Sequence, residues 1–562
     1  MEAHHSTAFH PTVEFTVYAS LVSNRYLTSR LIPVIAVAAV ALCVALVITV
    51  VSVMSGFLDM LKASGRSIVG DVIVSSGIGG MPYSEELLAE LRALPEVAGA
   101  TPLIDTIGLL RMPYPAGPQK ETAHVQVWAI DPESLTGVTD FAEDLYWRAP
   151  KDAATASAMA PDDPRRSLDP TILEDGKRLV QSSTNTPGIA LGMHVSVGNA
   201  RQRDGSYLPR YGWFMPGLEV TLTVVPVSGK GKIAEPREQI FPVVNEVQTG
   251  LFEVDRNRVY IPLAEGQRLL RLDEAPLYDL TADPDASGSY PVIGRTPSRV
   301  TKLLLRANPG CSADALRDRV QTTYDAFADR IEADRMRTAS MPRFVQVLTW
   351  EQQLRDLIIP VEKEREMMRV LFSLIYLVCA GLILSIFWAI VVEKTRDIGI
   401  LRSVGASRTG VMWIFLRYGL IIGTLGSALG VLLAWAIVTN VNPIHEAIGS
   451  DAPLAIRVTA WSLALACAIG LCVTALRRKF LPTLLWTLGT IVLTGAALGL
   501  TLHHGTLIWD PSIYYFTLVP DKVDWWAAGT TAVGGVLFSV IGSAIPAAKA
   551  ADIDPVEALR YG

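Results

Sequence analysis

Long apolar runs alternate with polar stretches along this chain, and one polar region is far longer than the others. Residues 31–57 form the first apolar run and contain no charged residue. Further apolar runs occupy residues 367–392, 411–439, 458–476, 480–502 and 526–548. Because a helix needs about 20 apolar residues to cross a bilayer, the pattern predicts an α-helical integral membrane protein with about six spans. A large soluble domain, residues 58–366, would be inserted after the first span.

The N-terminal part of the chain is expected to stay attached and to contact the membrane. The first run is too long for the apolar core of a secretory signal, which has about 7–15 residues, and no convincing cleavage site follows it. Within residues 1–30, the spacing of apolar residues predicts an amphipathic helix over Thr12–Arg30 that lies at the membrane surface.

The soluble region mixes two kinds of periodicity and is therefore predicted to be an α+β domain. Strand-like runs occur at 71–74, 125–130, 219–225 and 299–305. Helix-like runs alternate with them at 84–93, 264–272 and 312–333. Residues 137–186 are rich in Asp, Pro, Ala and Ser, and we expect them to be an irregular insertion.

Basic residues in the short loops predict the orientation of the spans, because loops on the cytoplasmic side carry an excess of Lys and Arg. The loops at 440–457 and 503–525 hold one basic residue each. The alternate loops and ends are richer in basic residues, namely Arg25, Arg30, Lys394, Arg396, Arg402, Arg408, Arg477, Arg478, Lys479, Lys549 and Arg560. We therefore expect both termini, including residues 549–562, to be cytoplasmic and residues 58–366 to lie outside.

Composition and charge narrow the possible functions. The chain of 562 residues is 50% hydrophobic and 19% charged, which fits spans combined with a soluble domain. Its net charge of −6 argues against a nucleic-acid partner. No His or Cys cluster has metal-ligand spacing, no phosphate-binding loop is present, and no catalytic constellation can be inferred. We expect no metal, no cofactor and no covalent chemistry, so that any energy must come from another polypeptide.

A short charged segment, residues 393–410, lies between two of the predicted spans. It reads EKTRDIGILRSVGASRTG, and Ile398, Leu401 and Val404 follow the spacing of one helical face. It could be a cytosolic loop that only satisfies the charge rule for orientation. Alternatively, it is a coupling helix whose apolar stripe enters a groove on a partner. We refer to residues 393–410 as the coupling segment.

The coupling segment and several other motifs resemble one family. EKTRDIGILRSVGAS is similar to the signature of FtsX-like permeases of ATP-binding-cassette (ABC) systems, and residues 542–561 are similar to the end of that family. Finer matches point to its lipoprotein-releasing (LolC/LolE) branch. They include VSVMSGF at 51–57, PGIALG at 187–192, TGLFEVD at 249–255, YIPL at 260–263 and TW at 349–350. Together these motifs reach nearly the whole chain in the order of the family.

The resemblance implies a four-span permease that has a large periplasmic domain and works as a homo- or heterodimer with a pair of separate ATPase subunits. The LolC/LolE branch extracts lipoproteins from the outer leaflet of the inner membrane and passes them to a periplasmic carrier. MacB-like relatives drive export, and FtsX-like relatives are signalling scaffolds that control a periplasmic hydrolase. The residues expected to couple to the ATPase are Glu393, Lys394, Arg396, Ile398, Leu401, Arg402, Val404 and Gly405.

Two apolar groups near the outer ends of the first and second spans are candidates for lipoprotein binding. Methionine adapts to irregular apolar shapes, so a pocket for acyl chains could form there, although ordinary helix packing is the alternative. The candidate residues are Val47, Val51, Met54, Phe57, Met367, Met368, Leu371, Phe372 and Ile375.

This chain also departs from the family pattern. Residues 458–502 add a transmembrane hairpin before the last span, and residues 137–186 enlarge the periplasmic domain, so the surface that docks the carrier need not match that of the family. Glycines at 419, 423, 426 and 430 indicate close helix packing in the third span.

Overall fold

The computed structural model describes residues 31–113, 120–150, 152–159, 163–202, 205–210, 213–227, 233–279, 290–334, 336–449, 454–476, 480–502, 518–554 and 556. The predicted surface helix at 12–30, the basic residues 477–479 and the chain from residue 557 onward lie outside the described residues.

Helices make up most of the described residues before position 70 and after position 349. They are α1 (Leu31–Val69), α2 (Ser84–Arg92), α3 (Pro132–Thr136), α4 (Phe141–Asp144), α5 (Ala153–Ala158), α6 (Thr171–Arg178), α7 (Phe252–Asn257), α8 (Leu263–Leu270), α9 (Ala313–Ala333), α10 (Trp350–Gln353), α11 (Arg355–Glu393), α12 (Thr395–Ser403), α13 (Arg408–Thr439), α14 (Val441–Gly449), α15 (Leu454–Leu476), α16 (Phe480–Leu502) and α17 (Trp525–Ala551).

Among the residues that the structure describes, the strands lie in the middle of the chain. They are β1 (Val72–Ser75), β2 (Met81–Pro82), β3 (Val97–Pro113), β4 (Lys120–Ile130), β5 (Val180–Gln181), β6 (Thr186–Pro187), β7 (Ile189–Gly192), β8 (Asn199–Arg201), β9 (Tyr207–Pro209), β10 (Glu219–Val224), β11 (Arg237–Val247), β12 (Arg258–Pro262), β13 (Ala275–Tyr278), β14 (Val292–Thr296), β15 (Arg299–Val300), β16 (Lys302–Ala307) and β17 (Gln346–Thr349).

The chain divides into two compact units. The helical unit comprises Met1–Leu58, Val361–Trp509 and Leu518–Gly562. The sheet unit comprises Asp59–Pro360 and Asp510–Thr517. Two helices continue beyond the spans predicted from the sequence, since α1 runs on to Val69 and α11 already begins at Arg355.

Five helices in the described part of the chain are long and apolar enough to cross a membrane. They lie in α1, α11, α13, α15 and α17. The sixth predicted span is the helix α16, of which Gly489–Gly499 counts as a shorter apolar helix, so a sixth crossing stays a prediction.

The core of the helical unit forms where small residues let α13 approach its neighbours. A Cβ atom added at Gly423 would lie 2.9 Å from Ser539 Cβ of α17, and one at Gly430 would lie 2.8 Å from Ala41 O of α1. Close approach of this kind drives helix association in lipid, where no hydrophobic effect operates between helices. The glycine repeat of α13 therefore serves packing.

The sheet unit is built on a nine-stranded mixed sheet with the strand order β10-β11-β7-β12-β4-β3-β16-β1-β17. An additional pairing joins β10 to β3, which closes a ring of six paired strands. The pairs β11–β7 and β12–β4 are parallel, and the other pairs in the sheet are antiparallel. The four predicted strand regions and the three predicted helices are all present, with ends shifted by a few residues.

Both faces of the sheet are buried, which explains its continuous apolar strands. In β1, Val72 and Val74 join one core while Ile73 joins the other, because neighbouring side chains of a strand point to opposite faces. One face is covered by α9 through Leu316, Val320, Tyr324, Phe327 and Ile331.

Residues 137–186 are not the irregular insertion that their composition predicted. Their described part contains α4, α5, α6 and a 3-10 turn at Pro164–Ser167. Trp147 is fully buried, and Leu145 and Leu179 belong to the second core of the sheet unit. Asp152 caps α5 and Asp163 caps the 3-10 turn, which accounts for part of the polar composition, and the buried apolar residues anchor the segment to the sheet.

Candidate functional site

The coupling segment folds as a short helix between two long ones. Glu393 ends α11, α12 covers Thr395–Ser403, and Ser407 caps α13 by accepting a hydrogen bond from the Gly410 backbone N–H at 3.1 Å. Gly405 has a φ of 108°, a conformation that glycine adopts without a steric penalty. The glycine therefore permits the turn that returns the chain into α13.

The predicted apolar stripe does not form one exposed face. Ile398 is only 3% exposed and packs with Val391, Val411 and Ala550 inside the helical unit. Leu401 is half-buried, whereas Val404 is 84% exposed. The prediction that all three residues face a partner needs correction, because the three-to-four spacing cannot distinguish a face that packs inward from one that faces solvent.

Polar contacts tie the coupling segment to the end of α17. The Arg402 Nη1 atom donates to the Ala551 carbonyl at 3.1 Å and also to the Ile553 carbonyl. The last carbonyls of a helix have no partner within the helix, so a guanidinium suits this position in hydrogen bonding and in charge. The coupling segment and the motif at residues 542–561 were both recognised in the sequence, but the sequence does not indicate that Arg402 contacts the second motif.

The remaining predicted coupling residues lie at the surface or form a local pair. Lys394 Nζ lies 2.8 Å from Asp397 Oδ2, while Glu393 and Arg396 are exposed. Glu393, Arg396, Val404 and Gly405 are the exposed members of the predicted set, and another protein could reach them.

The candidate lipoprotein-binding residues are brought together only in part. Val47, Val51 and Phe372 are buried with Ala527 of α17, and we refer to these four residues as the Phe372 cluster. Met368 and Ile375 pack against it, together with Tyr376. Met367 and Leu371 are 57% and 49% exposed, and Met54 and Phe57 are half-buried.

Hydrogen bonds join Asp524 to two serines of α1 beside the Phe372 cluster, and the sequence did not predict them. Ser55 Oγ donates to Asp524 Oδ2 at 3.0 Å, and the Asp524 backbone N–H donates to Ser52 Oγ at 3.1 Å. Asp524 Oδ1 also accepts from the Ala527 N–H at 3.0 Å and thereby caps α17. Serines in an apolar run and an aspartate before a helix are visible in the sequence, but their pairing across 469 residues is not.

An apolar cavity of about 400 Å³ lies between α13 and α17. It is lined by side chains between positions 424 and 431 of α13 and between positions 532 and 537 of α17. Among the described residues that line it, none is a predicted lipoprotein-binding residue, so the cavity and the Phe372 cluster are different places.

The sheet unit buries a network of polar side chains that holds residues 137–186 in place. Trp147 Nε1 donates to Glu246 Oε2 at 2.6 Å, and Asn199 Nδ2 donates to Glu246 Oε1 at 2.7 Å. Burial raises the pKa of Glu246 to about 8. Among the described residues, no cationic side chain lies at bonding distance to offset this effect.

Two further carboxyl groups and a histidine lie in the same part of the sheet unit. Burial, together with the charge of Asp255, raises the pKa of Asp144 to about 8, and burial raises the pKa of Asp255 to about 7. Burial, with a contribution from Arg201, lowers the pKa of His194 to about 4. In the part of the chain that the structure describes, no group of His, Cys, Asp and Glu residues could hold a metal ion.

Two family models match parts of the chain. Residues 369–477 match the FtsX-like permease C-terminal model, and residues 34–164 match the MacB-like periplasmic core domain. The first match contains the coupling segment, and the second covers α1 and the first strands of the sheet unit.

Curated relatives match longer parts of the chain at low identity. The lipoprotein-releasing system transmembrane protein LolC of Neisseria meningitidis serogroup B is 29% identical over 231 residues, which cover 39% of this chain and 46% of that protein. The LolC protein of Xylella fastidiosa strain Temecula1 is 22% identical over 522 residues, which cover 93% of this chain and 92% of that protein.

A solved structure, the periplasmic region of MacB from Actinobacillus actinomycetemcomitans, covers 53% of this chain and 97% of its own, with 10% identity and a TM-score of 0.25. The family models and the curated relatives, rather than this structure, confirm the predicted resemblance to FtsX-like permeases of the LolC/LolE branch.

Proposed function

We propose that this chain, which carries the FtsX-like and MacB-like regions of ABC permeases, releases lipoproteins from the outer leaflet of the inner membrane to a periplasmic carrier. The observation that carries the proposal is the similarity to LolC over 93% of the chain. The chain would act as the membrane subunit of a complex that contains a pair of ATPase subunits and a second permease. ATP hydrolysis would take place in the ATPase, and no residue of this chain would carry out covalent chemistry.

The energetics of lipid extraction favour this division of work. Each CH₂ group buried in a membrane contributes about 0.8 kcal/mol, so removing a protein that bears several acyl chains is strongly uphill. The process needs an external energy source and an apolar shelter. The coupling segment, with exposed Val404 and Arg396, offers a contact for the energy source, and the Phe372 cluster is our candidate for part of the shelter.

The proposed topology follows the charge pattern of the loops. Both termini and the coupling segment would be cytoplasmic, and the sheet unit would be periplasmic, with α15 and α16 forming an extra transmembrane hairpin. Because a hairpin adds an even number of crossings, the sidedness of α17 would be the same as in a four-span permease.

An export permease is the second candidate, and the match to the MacB-like periplasmic core domain favours it. Such a permease would use the same coupling segment but would move a substrate without lipid anchors. The two candidates therefore differ in whether acyl chains are required.

Reconstitution distinguishes these candidates. The complete complex with its ATPase is placed in liposomes that contain a tri-acylated lipoprotein, and transfer to a soluble carrier is measured with and without ATP. A matched substrate, in which the acylated cysteine is replaced by serine, tests the need for acyl chains. We expect ATP-dependent transfer of the acylated form only. Intact ATP hydrolysis without any transfer would refute lipoprotein release.

A further inference from the structure

The last helix, α17, contacts both the coupling segment and the Phe372 cluster. One end is held by Arg402, whose guanidinium donates to the Ala551 and Ile553 carbonyls. At the other end, Ala527 is a member of the Phe372 cluster, and Asp524 accepts a hydrogen bond from Ser55 of α1. The 24 residues between Ala527 and Ala551 span about 36 Å of helix.

Close contacts at Ser539 and Gly542, on the C-terminal side of the apolar cavity, join α17 to its neighbours α13 and α11. Ser539 Oγ donates to the Gly419 carbonyl at 2.8 Å, which fixes α17 to α13. A Cβ atom added at Gly542 would lie 2.6 Å from the Ala380 carbonyl of α11. Because close-packed interiors transmit displacement rather than absorb it, a push at one end of α17 is passed along the helix.

Two arginines of the coupling segment contact the end of α17, and their contacts differ in strength. Arg402 is half-buried and makes two charge-assisted bonds, one to the last carbonyl of α17 and one to the Ile553 carbonyl just after the helix. Arg408 also faces this end of the chain, but its Nη1 atom lies 3.7 Å from Asp552 Oδ1 and both side chains are about 70% exposed. Exposed pairs at such distances contribute little.

We infer that α17 carries the movement of the coupling segment to the Phe372 cluster, and that Arg402 is the positioning residue that fastens the coupling segment to it. The inference rests on the proposed function for its source of movement and for the use made of the cluster. It extends that function by assigning transmission to the last helix, in addition to α11 and α13, which flank the coupling segment directly.

The test compares Arg402→Gln, Arg402→Lys and the matched control Arg408→Gln in the complete complex. We expect Arg402→Gln to reduce the lipoprotein released per ATP hydrolysed about tenfold, because two charge-assisted hydrogen bonds are lost. Arg402→Lys should recover part of this loss, since an ammonium group can still reach one carbonyl. Arg408→Gln should stay within about twofold of the unchanged chain.

Binding of the ATPase separates positioning from direct contact and from misfolding. The resemblance implied that Arg402 couples to the ATPase, but its guanidinium is bonded to the Ala551 and Ile553 carbonyls instead. We therefore expect Arg402→Gln to co-purify with the ATPase and to hydrolyse ATP at a rate within about twofold of the unchanged complex. If ATPase association falls in step with release, Arg402 is a contact or folding residue and the inference is wrong. Unchanged release per ATP in Arg402→Gln would also overturn it.

A second measurement works without a lipoprotein. Spin labels are attached through encoded non-cysteine amino acids, because the chain has five native cysteines, at Leu46 of α1 and Val533 of α17, which are 50% and 60% exposed. We expect ATP binding to change the distance between the labels in the unchanged complex and not in Arg402→Gln. If this change persists in Arg402→Gln, the inference fails even where lipoprotein release is observed. If it is lost in Arg402→Gln while the unchanged complex releases no lipoprotein, the proposed substrate fails and the inference stands.

Discussion

The sheet unit and the helical unit hold their interiors together by different means. In the sheet unit, buried side chains satisfy one another, as Glu246 does with Trp147 and Asn199. In the helical unit, glycines let helices approach closely, as Gly423 does with Ser539 of α17 and Gly430 does with Ala41 of α1. The sheet unit therefore depends on the presence of particular side-chain atoms, whereas the helical unit depends on the absence of atoms where helices meet.

The largest loss of stability is expected when a large buried side chain is removed from the sheet unit. Trp147→Ala deletes a fully buried indole and leaves the Glu246 carboxyl with one hydrogen bond fewer. We expect a loss of about 3–5 kcal/mol in the free energy of unfolding. Thermal unfolding of the full chain in detergent measures this loss. Trp147→Phe, which keeps most of the volume, should lose less, and equal losses for the two variants would argue against cavity formation as the cause.

A smaller loss of stability is expected when a side chain is added where two helices of the helical unit meet. In Gly423→Leu, the new Cβ atom would lie 3.0 Å from Val536 Cα, so α13 and α17 must move apart. We expect a loss of about 1–3 kcal/mol, measured as a lower midpoint of detergent unfolding. Gly529→Leu is the matched control, because nothing lies within 4 Å of its Cβ position. Equal effects at the two positions would contradict the packing role of Gly423.

A change of charge without a change of volume should have the smallest effect below pH 4.5, where the Glu246 carboxyl is neutral, and should otherwise appear as a pH dependence of stability. Burial raises the pKa of Glu246 from an ordinary 4.5 to about 8 in the folded state. The folded chain therefore holds a proton that the unfolded chain has released, and stability from this group falls as pH rises from 4.5 to about 8. Glu246→Gln should make this decline less steep.

The pH comparison needs only unfolding midpoints of the full chain and of Glu246→Gln at several pH values. Asp144 and Asp255 have raised pKa values as well, so part of the decline should remain in the variant. If the two chains decline with the same slope, Glu246 does not carry the buried proton.

Much of the fold could be predicted from the sequence, because apolar length and periodicity determine where helices and strands form. Those signals are local, and they predicted the helices, the strand regions and the resemblance to FtsX-like permeases. The anchoring of residues 137–186 by Trp147 was missed, since composition describes a surface and not the single residue that is buried.

The candidate sites were less predictable, because they depend on which face of a helix packs inward. Ile398 and Val404 share a helical spacing, yet one is buried against Ala550 and the other is exposed. The contact of Arg402 with Ala551 joins residues 149 positions apart, and no periodicity in the sequence reports such a pair. The functional assignment of both sites stays a prediction.

Site-specific photo-crosslinking from the coupling segment is the most direct test of a permease driven by a separate ATPase. A photoreactive amino acid is placed at Val404, at 84% exposure, and in a matched variant at Ile398, at 3% exposure. The account predicts a crosslink to the ATPase subunit from Val404 and none from Ile398, with both variants recovered in the membrane. A folded Val404 variant that gives no crosslink to the ATPase, or a crosslink from Ile398 alone, would contradict it.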